Sequence, residues 1–327
     1  MASRKLKVAF VGCGGIAKAH IEAVKHHDDL ELHSVFDITP SKAELFASEF
    51  GAKIRPSYEA ILADPDVDAV YILTPNGLHA RQAVAAAKAK KHIFCEKPFA
   101  ITVEQADEVV KAVDTAGIKF MVGYKMRHFP TVLAIKQQMP APLMVIGQVM
   151  DKTWPDTHWA TLPEHGGGSL VDQAGHVIDG VCFLAGARPI SVHAVGGNYY
   201  QKNGVVDNCI ANIRFENGVA GCVIMGDAWI PQRASKFSMA AYARGMAIEL
   251  YNRFNDTAIA EDGQEPRVSV YKGNSNLEAF LLENRIFLDS IWNDKQPPQN
   301  HHHGRHITQI LAYAMQSCQD GKVYSLT

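Results

Sequence analysis

Over the first 124 residues the apolar positions fall into short continuous runs, separated by longer stretches in which they recur at helical spacing. The earliest run is Lys7 to Ala17, KVAFVGCGGIA, in which Val8, Phe10 and Val11 form a strand that breaks at Gly12. Further strands are predicted at 32–36, 53–55, 68–73, 92–95 and 119–123. Between them helical spacing predicts helices at 15–27, 40–51, 57–63, 78–90 and 102–116, the last closed by Gly117. Strands and helices in strict alternation build βαβ units around a parallel sheet. The expected first half is therefore a doubly wound α/β domain over 1–124, with its chemistry in the turns beyond the strands' carboxyl ends.

Beyond Tyr124 the pattern changes. A helix is expected from about Pro130, a strand at 144–150 and a helix from Ser169 to Leu184. Four long runs with β character follow at 190–201, 205–215, 218–230 and 236–251, joined by turns such as Asn217-Gly218. Consecutive strands without intervening helices imply an antiparallel sheet, so 125–327 reads as an α+β substrate-binding and oligomerisation domain with an open, mostly antiparallel sheet. Two amphipathic helices, 277–292 and 307–319, close the chain on either side of Pro297-Pro298.

Length agrees with two domains, since 327 residues exceed what one core ordinarily organises. A formal charge of −2 gives no field for nucleic acid or an anionic membrane. No apolar run approaches the ~20 residues of a membrane span, and MASRKLKVAF leads straight into the first strand without a signal segment, which predicts a cytoplasmic protein. Six cysteines without a Cys-x-x-Cys pair read as reduced core residues.

The glycine turn carries the first chemistry. Gly12 permits the sharp turn, Gly14 lets a pyrophosphate approach bare backbone, Gly15 and Ile16 open a helix whose unpaired amides face the anion, and Ala17 lets that helix lie close to the sheet. Asp37 ends the second strand about twenty residues on, where a carboxylate binds ribose hydroxyls and repels a 2′-phosphate, so NAD is the expected cofactor. Three more turns past strand ends bear polar groups that a bare scaffold does not require: Thr74-Pro75-Asn76 with His79, Glu96-Lys97-Pro98, and Tyr124 with Arg127. In the second half, Asp172, His176 and Asp179 are spaced i, i+4, i+7 and share one helix face. Each also has an ordinary reading: Ser169 and Asp172 as a capping box, His176 as a core histidine, Asp179 as a helix-pairing group. Trp154, Asp156, His158 and Trp159 precede this helix, where they suit a polyhydroxylated ring or pack a domain junction. The run His301-His302-His303 with His306 lacks a completing Cys or Glu cluster, so no metal is expected.

GCGGIA, Asp37, TPNGLH, EKP at 96–98, MVGYKMRHFP and GGGSLVDQAGHVIDG together resemble the family of glucose–fructose oxidoreductase, inositol dehydrogenase and MocA. The resemblance implies catalytic roles for Lys97, Asp172 and His176. The expected cofactor contacts are the glycine turn, Asp37, Thr74, Pro75, Asn76, His79, Glu96, Lys97 and Arg127, and the resemblance implies substrate contacts from Lys97, Tyr124, Arg127, Asp172 and His176, to which the sequence adds Asp179 and the loop residues Trp154, Asp156 and His158 as candidates. Association as a homo-oligomer, a dimer or tetramer, through the second sheet is implied as well. The expected reaction is hydride transfer between NAD and a secondary hydroxyl of a sugar, sugar derivative or cyclitol. An imidazole, with an ordinary pKa of about 6.5, can take the hydroxyl proton while a lysine polarises the oxygen. Two rivals remain: a redox-neutral glycosidase that oxidises C3 transiently, eliminates, and re-reduces, and a non-catalytic NAD-sensing regulator.

Overall fold

A computed structural model describes residues 4–155, 157–163, 165–201, 203–227 and 236–326. Its backbone contacts divide the chain into two units, 1–123 with 280–305, and 124–279 with 306–327. Residues 280–305 lie beyond the expected boundary at 124 yet pack within the first unit, because helix positions such as Phe280, Phe287 and Leu288 are buried there.

The first unit is built on a six-stranded parallel sheet: β1 (Leu6–Val11), β2 (Leu30–Phe36), β3 (Lys53–Ile54), β4 (Ala69–Ile72), β5 (His92–Cys95) and β6 (Phe120–Val122). Their spatial order is β3-β2-β1-β4-β5-β6. The connecting helices are α1 (Gly15–Lys25), α2 (Pro40–Phe50), α3 (Tyr58–Leu62), α4 (Asn76–Lys88) and α5 (Val103–Ala116). Strand order reverses at β1 and β4, with β2 and β3 added to one side of β1 and β4, β5 and β6 to the other, which places a crevice beyond the carboxyl ends of this parallel pair. Local chemistry sets the helix ends. Ser57 and Thr102 accept capping hydrogen bonds from Ala60 and Gln105, Pro40 starts α2, and Gly51 and Gly117 close α2 and α5 in the left-handed region. The core is aromatic and continuous: Tyr71 stacks on Phe94 at 4.8 Å, and Phe287 meets both rings edge-on.

In the second unit α6 (Pro130–Gln138) precedes β7 (Met144–Met150), α7 (Ser169–Ala185), β8 (Pro189–Gly197), β9 (Asn208–Phe215), β10 (Ala220–Gly226), β11 (Phe237–Ala243), β12 (Met246–Tyr251), β13 (Asp256–Glu261) and β14 (Arg267–Val270). Helices α8 (Ser275–Trp292) and α9 (His301–Asp320) and the strand β15 (Tyr324–Ser325) follow, both helices contributing to each unit. The nine strands run in the order β14-β13-β12-β11-β7-β10-β9-β8-β15, antiparallel except for the parallel pair β7–β10. The expected run 236–251 is a hairpin of two strands around Gly245, whose φ is 73°, and β13 and β14 extend it beyond the sequence reading. α9 starts at His301 rather than near 307, so the histidine run forms its first turn.

Helix α7 lies directly on the sheet. A Cβ at Gly147 of β7 would come within 2.5 Å of Val177, so glycine there sets how closely helix and strand approach. The carboxyl end of β10 carries Asp227, which accepts from Ser169 Oγ (3.2 Å), Gln201 Nε2 (2.8 Å) and Asn208 Nδ2 (3.2 Å). Beside it Asp207 accepts from the backbone amides of Tyr199, Tyr200 and Gln201 at 2.7–2.9 Å. Burial opposes the Asp207 charge, but these amides outweigh it and hold its pKa below the usual carboxylate value. A folded pKa below the unfolded one contributes stability that is present above about pH 4 and lost as pH falls through the lowered value. Asp207→Asn should therefore lower the melting temperature at pH 7, and its deficit against wild type should shrink on acidification towards pH 3. A deficit independent of pH would assign the loss to packing instead of charge.

Candidate active site

At the β1–α1 turn Gly12 has a φ of 96°, and an added Cβ would lie 2.7 Å from the Leu73 carbonyl oxygen, so only glycine fits. A Cβ built on Gly14 or Gly15 meets nothing within 4 Å, and no side chain caps α1 among the described residues. Bare amides at a helix start, with open space before them, form a seat for a pyrophosphate. Both oxygens of Asp37 are anchored by backbone: Oδ2 accepts from Cys13 N and Oδ1 from Thr39 N, each at 2.8 Å. That anchoring points a fixed carboxylate at the ribose position of a dinucleotide, and neighbouring Ile38 offers no cation for a 2′-phosphate. The donor set fits NAD. Burial, and then Asp37, push the Cys13 thiol up to about 12, so it stays protonated and is no nucleophile.

The turns after β4 and β5 are tied together. His79, buried in α4, places Nδ1 2.7 Å from the Pro98 carbonyl and Nε2 2.6 Å from the Thr74 carbonyl, so both ring nitrogens are engaged within the chain. Burial lowers the His79 pKa, and the two carbonyls oppose that shift. Thr74 Oγ1 donates to Gln82 Oε1 (2.6 Å), Pro75 stands exposed as the cap of α4, and Asn76 is buried. Glu96 is buried; its Oε1 lies 2.9 Å from His20 Nε2, and its Oε2 accepts from the Lys97 backbone amide (3.1 Å). Lys97 is half-buried, and the Lys97–Pro98 peptide is cis. His20 was not singled out in the sequence; a histidine three residues after Ala17, on the apolar face of α1, is the signal that could have found it.

The second unit brings Asp172, His176 and Asp179 onto one buried face of α7, with 8, 6 and 0% of their surfaces exposed. The capping box is not formed. Ser169 is the first helical residue and donates to Asp227, while Asp172 accepts from the side-chain amide of Gln173. Arg127 and Asp179 form a two-bond ion pair, Nε to Oδ2 at 2.8 Å and Nη2 to Oδ1, with the guanidinium 5.1 Å from the Phe183 ring. Both partners are buried, so this pair orients the 3₁₀ turn Lys125–His128 against α7 and draws on the two charges that the sequence reading offered to ligands. Tyr124 is buried and lies 3.4 Å from the position of a Cβ on Gly175. Trp154 and Trp159 flank His158, at ring distances of 4.7 and 5.6 Å. Asp156 lies outside the described residues.

Comparison with known proteins agrees with both halves of this description. The profile of the oxidoreductase family with an NAD-binding Rossmann fold matches residues 6–124, and that of the GFO/IDH/MocA C-terminal domain matches 141–238. Inositol 2-dehydrogenase of Rhizobium meliloti (strain 1021) is 33% identical over 201 residues, 60% of each chain. The 2,7-anhydro-N-acetylneuraminate hydratase of Escherichia coli (strain K12) is 32% identical over 197 residues, 58% of this chain and 52% of that one. These matches thus span only half to three fifths of those relatives' lengths. The fold extends further: a levoglucosan dehydrogenase solved with NADH and levoglucosan superposes with a TM-score of 0.90 at 24% identity, covering 99% of this chain and 100% of that one. With a Rossmann sheet, a glycine turn and ribose carboxylate suited to NAD, and a second mixed sheet under a polar-faced helix, the chain belongs to the Gfo/Idh/MocA family of NAD-dependent oxidoreductases.

Proposed function

We propose that this oxidoreductase transfers hydride between NAD and a secondary hydroxyl of a sugar, sugar derivative or cyclitol. The observation that carries the reading is the buried face of α7, where Asp172 and His176 stand one turn apart in a helix whose other residues, Gln173 and the Arg127-paired Asp179 apart, are apolar or small. Burying ionisable groups in such a face costs free energy that packing alone would not recover, and the pair matches the acid–base need of alcohol oxidation. NAD supplies the hydride acceptor when bound. In this reading His176 accepts the hydroxyl proton, Asp172 holds the ring or a neighbouring hydroxyl, and Lys97 polarises the reacting oxygen. Lys97→Ala and His176→Ala should each lower kcat by about 10²–10⁴ with NADH affinity little changed. Wild-type turnover in either variant discards that residue's role.

The hydratase among the relatives favours one alternative, in which oxidation is transient and the cofactor ends as it began. A panel of inositols, aldoses, uronates and glycosides separates the two. Stoichiometric NADH supports the dehydrogenase, and aglycone release without NADH accumulation supports the redox-neutral reading. In the same assay NAD should be preferred over NADP through Asp37, and the reverse preference would overturn that assignment.

Association through the second sheet is part of the proposal. One sheet face carries α7; the other turns Met144 and Ile210 outward, with Ile146 and Ile224 half-buried beside them. An apolar, ladder-regular face of this kind suits a second copy of itself. Among the described residues no helix is long and apolar enough to cross a membrane. All six cysteines are free, as suits a reducing compartment. Light scattering should give the mass of a dimer or tetramer, and Ile146→Lys should reduce it; a monomeric wild type would refute the assembly.

A further inference from the structure

The Lys97 turn hangs on a buried polar contact from the helix that follows the glycine turn. His20 of α1 is fully buried, and its ring is enclosed edge-on by Phe94 (4.9 Å), Phe280 (5.0 Å) and Tyr71 (5.7 Å). From that cage Nε2 reaches Glu96 Oε1 at 2.9 Å, while Nδ1 has no hydrogen-bond partner among the described residues. A carboxylate oxygen only accepts, so the contact requires a hydrogen on Nε2 pointing at Glu96. Glu96 passes the constraint on, because its second oxygen accepts from the Lys97 backbone amide. Space is reserved for this carboxylate: a Cβ on Gly123 would lie 3.1 Å from Glu96 Oε1. Glu283 of α8 brings another carboxylate oxygen within 4.8 Å of both the His20 nitrogen and the Glu96 oxygen.

Two carboxyl groups this close repel whenever both are ionised, so the groups that hold Glu96 matter for where it points. The His20 ring nitrogen on Oε1 and the Lys97 amide on Oε2 hold the Glu96 carboxylate from both sides. We propose that His20 is a positioning residue of the catalytic turn: its Nε2–H fixes the Glu96 carboxylate, and Glu96 fixes the backbone from which Lys97 extends. The helix that seats the pyrophosphate is thereby mechanically linked to the residue that polarises the substrate oxygen. The inference rests on the proposed role of Lys97 and names His20 as the group acting through it.

The test uses His20→Met, close in volume but without a donor, beside His20→Gln, whose side-chain amide can reproduce an N–H near Nε2. The methionine variant should bind NADH within about twofold of wild type, lose at least tenfold in kcat and shift one limb of the pH–rate profile, and the glutamine variant should recover most of the activity. In a Lys97→Ala background, His20→Met should add little further loss, as expected of residues acting in series. Where the methionine variant does not fold, His20→Asn, whose amide is too short to reach Glu96, takes its place against His20→Gln. Wild-type kcat and pH profile in His20→Met, or equal activity in the asparagine and glutamine variants, overturns the inference while leaving Lys97 untouched. If Lys97→Ala itself turns over normally, the underlying reading is what fails.

Discussion

The contact on which the structure depends most is the approach of the Gly12 backbone to the Leu73 carbonyl, so close that a single methyl group there would lie 2.7 Å from the oxygen. This is the point at which β1 and β4 run side by side and their following helices depart to opposite faces of the sheet. Because the two strand ends almost touch, the amides of α1 and the turn before α4 open on the same rim. The same parallel ladder carries β5 one strand further, so the Glu96-Lys97 turn joins that rim at a fixed spacing. Strand register, more than any single side chain, thus places the glycine turn, Asp37 and Lys97 along one edge of the first unit.

Holding that edge still requires polar groups in places where water does not reach, and the chain handles them by pairing. His79 staples the turns after β4 and β5 through two carbonyls. Arg127 and Asp179 neutralise one another between a 3₁₀ turn and α7. Asp207 gathers three amides, while burial, followed by lesser contributions that include the nearby Asp207 charge, raises the Asp227 pKa beside it. A buried pair of this kind contributes little net stability, yet removing one partner leaves the other stranded, typically at a cost of about 3–5 kcal/mol. Such contacts therefore specify geometry more than they stabilise it.

How much of this was legible beforehand follows from how local each signal is. The glycine turn, the alternation of strands and helices, and the i, i+4, i+7 face of α7 depend on near neighbours in the chain, and the structure has the corresponding elements within a few residues. Pairings across long sequence distances left no such trace. Nothing near Arg127 announces Asp179, fifty-two positions away, and nothing near His20 announces Glu96, seventy-six away. The capping box read at Ser169 failed for the same reason: locally the spacing is right, but Asp227 offers the hydroxyl a better partner from another strand. Strands β13 and β14 were missed because their outward residues, such as Val268 and Val270, are exposed and β14 has no buried face to impose alternation.

The return of residues 280–305 to the first unit is the feature least visible in the sequence and the one that most changes its meaning. An amphipathic helix at 277–292 reads as ordinary core packing, yet Glu283 and Asn284 interrupt its apolar stripe at Phe280 and Phe287. Apolar residues would suffice if the helix only covered the sheet. Asn284 instead accepts from the Tyr71 hydroxyl at 2.7 Å, in the centre of the aromatic core, and Glu283 lies beside the His20–Glu96 contact. A polar group inside an aromatic core is tolerated where its partner is fixed in place, and it penalises every register in which that partner is absent. These two residues therefore select one seating of α8 on the Rossmann sheet, and with it one arrangement of the aromatic cage that aims His20 at Glu96.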